Sequence, residues 1–270
     1  MINCRQFACF FLIYALLHLG LNLARGASGN DPGMVYIPGD KFEPFDTSAK
    51  SAKEKPEKKP TVFIGSFLLD VYPITNRDYL KFVKGRAEWR KTKVKRIFAD
   101  THYLQGWASD LNIGNLNLKS PVTQVSWFAA TAYCASINKD LPTTNQLEFA
   151  LLDSGRSQNE IKQKILAWYG EPNRQKLPLV GADGPNGYGV HDLAALVWEW
   201  TQDFGSFLST SDSRENGKDG NLFCGNGSQL GNAADYAAFM RYSFRASLKA
   251  NYTTANLGFR CAKEVKNETK

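Results

Sequence analysis

Sustained hydrophobic periodicity is scarce in this chain: two or three helical stretches and scattered short strands stand out, and Gly, Asn and Pro punctuate the rest. A domain built that way must hold long loops by side-chain packing, a disulfide or a metal. Met34–Pro38 (MVYIP) and Val62–Leu69 (VFIGSFLL) read as strands, and Asn76–Val83 as a helix capped by Thr75 or Asn76. A second helix follows Ser126, with Trp127, Ala130, Tyr133, Cys134 and Ile137 spaced by three and four along one core-facing stripe. Pro142-Thr143-Thr144 opens a third, with Leu147, Ala150 and Leu151 inward and Glu148 in its first turns. From Gly155 to Gly189 the chain reads as irregular.

Residues 1–26 read as a signal peptide: Arg5, an apolar run from Phe7 to Leu17, then small residues at Ala24, Gly26 and Ala27. An uncleaved N-terminal anchor is the alternative, because the apolar stretch reaches Leu23. Either way the body is expected in an oxidising compartment, periplasmic or secreted, where disulfides persist. About 240 residues then remain, enough for one domain: residues 27–59 as an N-terminal strand and charged loop, joined to a main body over 60–265. No later run is apolar enough to cross a membrane, so a soluble body is expected.

Cys4 and Cys9 leave with the leader, and Cys134, Cys224 and Cys261 remain. Three cysteines cannot all pair internally, and a leftover thiol in an exported protein suggests a metal ligand, a nucleophile or a redox partner. Parity does not say which cysteine it is. The net charge of +7 is concentrated in Lys50–Lys59 (KSAKEKPEKK) and Arg90–Arg96 (RKTKVKR). The first has the composition of a solvated loop and the second lacks interleaved aromatic platforms, so no nucleic-acid partner is expected. His102 and His191 lie in no nucleophile-elbow or zinc-ligand spacing.

Three separated blocks carry a resemblance: PVTQVSWFAATAYCASINKDLPTTNQLEFA (Pro121–Ala150), YGVHDLAALVWEWTQDF (Tyr188–Phe204) and NLGFRCA (Asn256–Ala262). Together with VYPITNRDYLKFV they resemble the formylglycine-generating enzyme, or sulfatase-modifying factor, family over most of residues 60–262. The resemblance implies an α+β fold, a variant of the C-type-lectin-like type with little regular secondary structure. It also implies a disulfide between Cys134 and Cys261, closing a loop of more than a hundred residues and worth roughly 4 to 5 kcal/mol in the chain-entropy model. Cys224 is then the leftover thiol. A second family disulfide has no counterpart, since its places fall near Ala150–Leu151 and Tyr242.

Formylglycine-generating enzymes oxidise a substrate cysteine with O2, using copper(I) on two active-site cysteines, and soft thiolates suit that ion. Cys224 resembles the first of the pair and is the implied catalytic and copper-binding residue. The counterpart of the second falls near Ala237, so a further copper ligand would have to come from His191, Met240 or the substrate. For His191 a hydrogen-bonded turn and for Met240 core packing are the plainer readings. Calcium is implied at Asp192 and Glu199 with the carbonyls of Ala195 and Val197, a hard-oxygen set; a salt bridge or cap for both acids is the alternative. Trp198 and Arg245 match positions lining the substrate groove, against core packing for Trp198 and a strand surface for Arg245.

The last block, with about eight residues inserted, also resembles a bacterial branch of the family. That branch includes accessory proteins of copper-type nitrite reductase and a periplasmic enzyme that oxidises a siderophore precursor. The expectation is an exported, O2- and copper-dependent oxidoreductase or maturation factor that lacks the second active-site cysteine and acts through Cys224 on a protein or peptide-like substrate. The alternative is a lectin-like binding module that recognises a partner protein without catalysis.

Overall fold

The computed structural model describes residues 31–44, 61–152, 158–170, 176–193, 196–205 and 233–265. The expected leader, the charged loop Lys50–Lys59, Ala195 and Cys224 lie outside the described residues.

The first four strands form one antiparallel ribbon. β1 (Met34–Ile37) pairs with β4 (Phe67–Asp70), and β2 (Asp40–Phe42) pairs with β3 (Val62–Ile64). The register is continuous across the gap, with Ile37 opposite Phe67 and Asp40 opposite Ile64. The single strand expected over Val62–Leu69 is therefore two. Opposite the break, Pro38 has no N–H to give a ladder, and Gly39 runs so close that a Cβ there would lie 2.7 Å from the Ser66 nitrogen. β7 (Ala262–Glu264) joins the other edge of β4, making a three-stranded sheet in the order β1-β4-β7. β4 is central, and all four of its residues are buried.

Helix α1 (Asn76–Gly85) starts at Thr75, whose hydroxyl accepts from the Asp78 N–H, and buries Tyr79, Phe82 and Val83. In α2 (Trp127–Ser136) the Ser126 hydroxyl accepts from the Ala129 N–H at 3.2 Å. Ala130, Tyr133 and Cys134 face the core as the spacing predicts, but Ile137 is the C-cap residue and is 41% exposed. The helix ends one residue before the stripe would have carried it inward. α3 (Thr144–Leu152) opens with a reciprocal capping box between Thr143 and Gln146, at 2.8 and 3.1 Å. Leu147, Ala150 and Leu151 are buried, and so is Glu148.

Two further helices depart from expectation. α4 (Gln158–Tyr169) lies inside the stretch read as irregular; Ile161 and Ile165, four apart, bury one face of it. α5 (Ala233–Ser247) carries Arg245, read as a groove residue or a strand-surface residue, on a helix. Leu151 of α3, Ile161 and Ile165 of α4 and Ala237 of α5 pack as one small core. β5 (Trp198–Glu199) and β6 (Leu257–Gly258) pair in parallel.

The main core lies around α1 and α2, where Tyr79, Trp107, Tyr133, Trp200 and Phe259 meet. The Cys134–Cys261 disulfide is formed inside it, both residues fully buried, with Cα atoms 5.7 Å apart. A second core, with Ile37, Phe67 and Leu69 against Leu147 and Phe149, packs the sheet on α3. Part of the basic run serves the fold locally, since Arg90 donates to the Val83 and Lys84 carbonyls at 3.1 Å and closes the end of α1. Among the described residues no helix is long and apolar enough to cross a membrane.

Candidate functional site

On α5, Arg241 and Arg245 are four residues apart and so share a helix face. Both reach Glu148 on α3. Arg241 Nε donates to the two carboxylate oxygens at 3.0 Å and its Nη2 to Oε2 at 2.6 Å, while Arg245 Nη1 donates to Oε1 at 2.8 Å. All three side chains are buried. Burial alone would raise the Glu148 carboxyl, but Arg241 and Arg245 hold it down at about 2. Burial works against the Arg241 charge as well, and Glu148 more than offsets it, so the guanidinium is held above its ordinary value.

The opposite wall is aromatic. Trp198 stacks on Phe244 of α5 with centroids 4.1 Å apart and on Tyr169 of α4 at 5.2 Å, and Trp168 leans against it at 5.2 Å. Its backbone is fixed by β6, the Trp198 N–H donating to the Asn256 carbonyl at 2.8 Å. Gly258 makes this pairing possible, because a Cβ at that position would sit 2.7 Å from the Val122 carbonyl oxygen. Between the two walls lies a narrow cleft, lined also by Leu147, Leu151, Ile165, Leu193 and Val197. The structure thus brings the expected Trp198 and Arg245 together on one cleft.

Glu199, next to Trp198, is held by Arg260, whose Nε and Nη2 donate to its two oxygens at 2.8 Å. Arg260 is fully buried and also donates to the carbonyls of Asp70 at 3.0 Å and His191 at 2.8 Å. Asp192, in the left-handed region at φ 61°, accepts from the N–H groups of Gly181 at 2.5 Å and Asp183 at 3.0 Å. Burial raises its carboxyl above the ordinary range, against the pull of the Gly181 N–H and of Arg260. As arranged, both carboxylates are committed to N–H donors, and a calcium ion on them would have to displace those contacts. No group of three or more His, Cys, Asp or Glu side chains converges as a metal site among the described residues.

His191 Nδ1 is 2.9 Å from the Asp183 carbonyl, its ring against Tyr72, and Met240 is half-buried on α5. Arg241 and Arg260 are not singled out in the sequence, and Glu148 reads there only as an acid in the first turns of its helix. The i, i+4 spacing of RYSFR was the available signal for the first. For Arg260 and Glu148 the partners lie 61 and 93 residues away, where no local pattern reports them.

A model of the sulfatase-modifying factor enzyme 1-like domain family matches residues 22–265. The inactive C-alpha-formylglycine-generating enzyme 2 of Mus musculus is 26% identical over 281 residues, 86% of this chain and 86% of its own. The formylglycine-generating enzyme of Mus musculus is 24% identical over 295 residues, 85% of this chain and 74% of its own. The solved structure of PvdO from Pseudomonas aeruginosa covers 86% of this chain and 94% of its own at 15% identity, with a TM-score of 0.47.

Proposed function

Because the chain belongs to the sulfatase-modifying factor enzyme 1-like family, whose formylglycine-generating type of α+β fold it shares, we propose that it is an exported maturation factor that acts through Cys224 on a protein or peptide-like substrate held in the Trp198–Arg245 cleft. The cleft is the observation that supports this reading best: a stacked aromatic wall faces buried guanidiniums, which suits an extended, partly apolar acceptor. With Cys134 and Cys261 in the disulfide, Cys224 is the one cysteine of the body left for redox or metal chemistry. Copper is assigned to that thiolate, and the chemistry it would supply when bound is activation of O2.

A second reading, recognition of a partner protein without catalysis, is favoured by the cysteine count, because a two-thiolate copper site cannot be completed from this body. Cys224→Ser separates the two. On the catalytic reading, the purified protein takes up about one copper(I) per chain, and the variant loses both uptake and turnover with an unchanged melting temperature. Full copper binding by the variant would remove copper from the proposal. Undiminished capture of a partner with no turnover in either protein would favour recognition. The mature protein, denatured without reductant, should show a single reactive thiol.

Calcium belongs to the same reading, with Asp192 and Glu199 as its side-chain ligands. Adding calcium after chelation is then expected to raise the melting temperature by several degrees, in line with ligand linkage, and Asp192→Asn should abolish the rise. An unchanged melting curve assigns both acids to the N–H and guanidinium contacts alone.

A further inference from the structure

We propose that the turn carrying Ile97 and Phe98, with the basic residues beside it, is a docking surface for the face of an anionic lipid bilayer. The body would lie on the membrane without crossing it. This goes beyond the thiol reading and does not depend on it, since Cys224 plays no part in the contact.

Shape is the first support. The Phe98 and Ala99 N–H groups both donate to the Lys95 carbonyl, at 2.9 and 3.3 Å, so Arg96 and Ile97 stand at the apex of a single turn. Turns favour Gly, Asn, Asp, Ser and Pro; this one presents an aliphatic side chain that is 72% exposed, with Phe98 beside it at 38%. One exposed isoleucine is ordinary. Here it borders a row of half-buried rings: Phe98 lies against Trp89 at 5.9 Å and Phe128 at 5.4 Å, and Phe128 against Trp127 at 5.5 Å. The backbone on both sides is fixed, so the turn does not fold inward to hide Ile97. Ala99 is fully buried, the Asp100 N–H donates to the Asn251 carbonyl at 2.9 Å, and the Asp100 carboxylate accepts from the Thr253 N–H at 3.2 Å. On the other side Arg90 is tied to the end of α1. An apolar tip held in water on a fixed backbone is stabilised by entering an apolar phase. A projecting tip enters a lipid interface, whereas a bound helix or polyproline segment is received in a groove.

Charge is the second. From Lys84 to Asp100 the chain carries seven Lys and Arg side chains against two acids, Glu88 and Asp100. Asp110, whose carboxylate accepts from the Thr92 N–H and hydroxyl at 2.8 Å, brings a third acid to the segment. Seven cations against three carboxylates leave a net charge of +4 there. Lys93, Lys95 and Arg96 are exposed, and their aliphatic stems let the charged heads stay at headgroup level while Ile97 goes deeper. Clustered cations around an apolar insertion are what an anionic lipid surface attracts. A nucleic acid or an acidic peptide answers the charge but leaves Ile97 in water, so the bilayer is the occupant that uses both features.

Co-sedimentation with vesicles tests the surface, using the body after the expected leader, which begins a compact unit of its own at Pro32. Vesicles of phosphatidylcholine with about 30% phosphatidylglycerol should bind at least about tenfold tighter than phosphatidylcholine alone. Salt at about 0.5 M should remove most of that preference. Lys95→Gln with Arg96→Gln should weaken binding to the anionic vesicles about 25-fold, each cation at such a surface being worth about fivefold. Lys58→Gln with Lys59→Gln removes the same charge from the other basic segment and should cost less than about threefold. Ile97→Asn leaves the charge untouched and should weaken binding about tenfold, with an unchanged melting curve. No sedimentation with anionic vesicles, equal binding to both vesicle types, equal losses from the two double substitutions, or an unaffected Ile97→Asn overturns the proposal. Binding of polyglutamate or a single-stranded oligonucleotide as tightly as the vesicles also overturns it, because that assigns the cations to a soluble polyanion. Cys224→Ser should sediment like the parent, so a failure of the thiol chemistry and a failure of the membrane contact are told apart.

Discussion

Glu148→Gln is expected to lower the stability of the folded protein by about 3–5 kcal/mol at neutral pH, the usual effect of removing one partner from a buried ion-pair group. The glutamine keeps the shape and one acceptor oxygen, but it leaves Arg241 and Arg245 charged and buried with nothing to oppose them. Urea denaturation of the variant measures the loss. Replacing all three residues together, Glu148→Leu with Arg241→Leu and Arg245→Met, should recover most of it, because an apolar set of similar volume has no charge to desolvate. The same interaction sets an acid limit. The Glu148 carboxyl falls from 4.5 to about 2 on folding, so its contribution is complete above pH 4.5 and is lost as pH falls through about 2. The shift corresponds to about 3 kcal/mol, and in Glu148→Gln this part of the acid destabilisation should vanish.

Loss of the Cys134–Cys261 disulfide is the second large effect. The bond joins residues 127 apart in sequence, and the chain-entropy model gives about 4–5 kcal/mol for closing such a loop. Cys134→Ala with Cys261→Ala should lower the stability by that order, and a reductant should destabilise the native protein to the same level without affecting the double variant. Both positions are fully buried in the main core, so alanine removes two sulfur atoms from packed surroundings and adds a smaller cavity term. Equal melting curves for native and double variant, with or without reductant, would show that packing alone closes the loop.

The features legible in the sequence are those whose causes are local. The Ser126 and Thr143 caps and the three-to-four spacing of apolar residues locate α2 and α3, because a helix start and its buried face are both written within a dozen residues. The family blocks supplied the disulfide, the α+β fold and the pairing of Trp198 with Arg245. What stayed hidden depends on partners far along the chain. The ribbon breaks because Pro38 and Gly39 lie opposite Gly65 and Ser66, and that opposition exists only once the register is known. α4 has a narrow apolar face of Ile161 and Ile165 that becomes meaningful against Leu151 and Ala237. Glu148 reads as an ordinary acid in the first turns of α3 until α5 brings two guanidiniums to it. The family resemblance implies an oxygen-ligand role for Glu199 but says nothing of Arg260, which occupies both its oxygens.

The run from Leu257 to Ala262 has a consequence for how the protein is made. Leu257 and Gly258 pair with Trp198 and Glu199, the Phe259 carbonyl accepts from the Ile74 N–H, Arg260 grips Glu199, and Cys261 carries the bond to Cys134. Ala262 exchanges both backbone hydrogen bonds with Asp140. Six consecutive residues therefore close contacts with segments synthesised from about residue 70 onward, and they emerge after all of them. A chain leaving the ribosome or a translocation pore holds its earlier helices and the Trp198 strand without the surface that seats them. The pairing that seats Trp198 and the Cys134–Cys261 bond therefore both depend on this run, and neither can form before it is made.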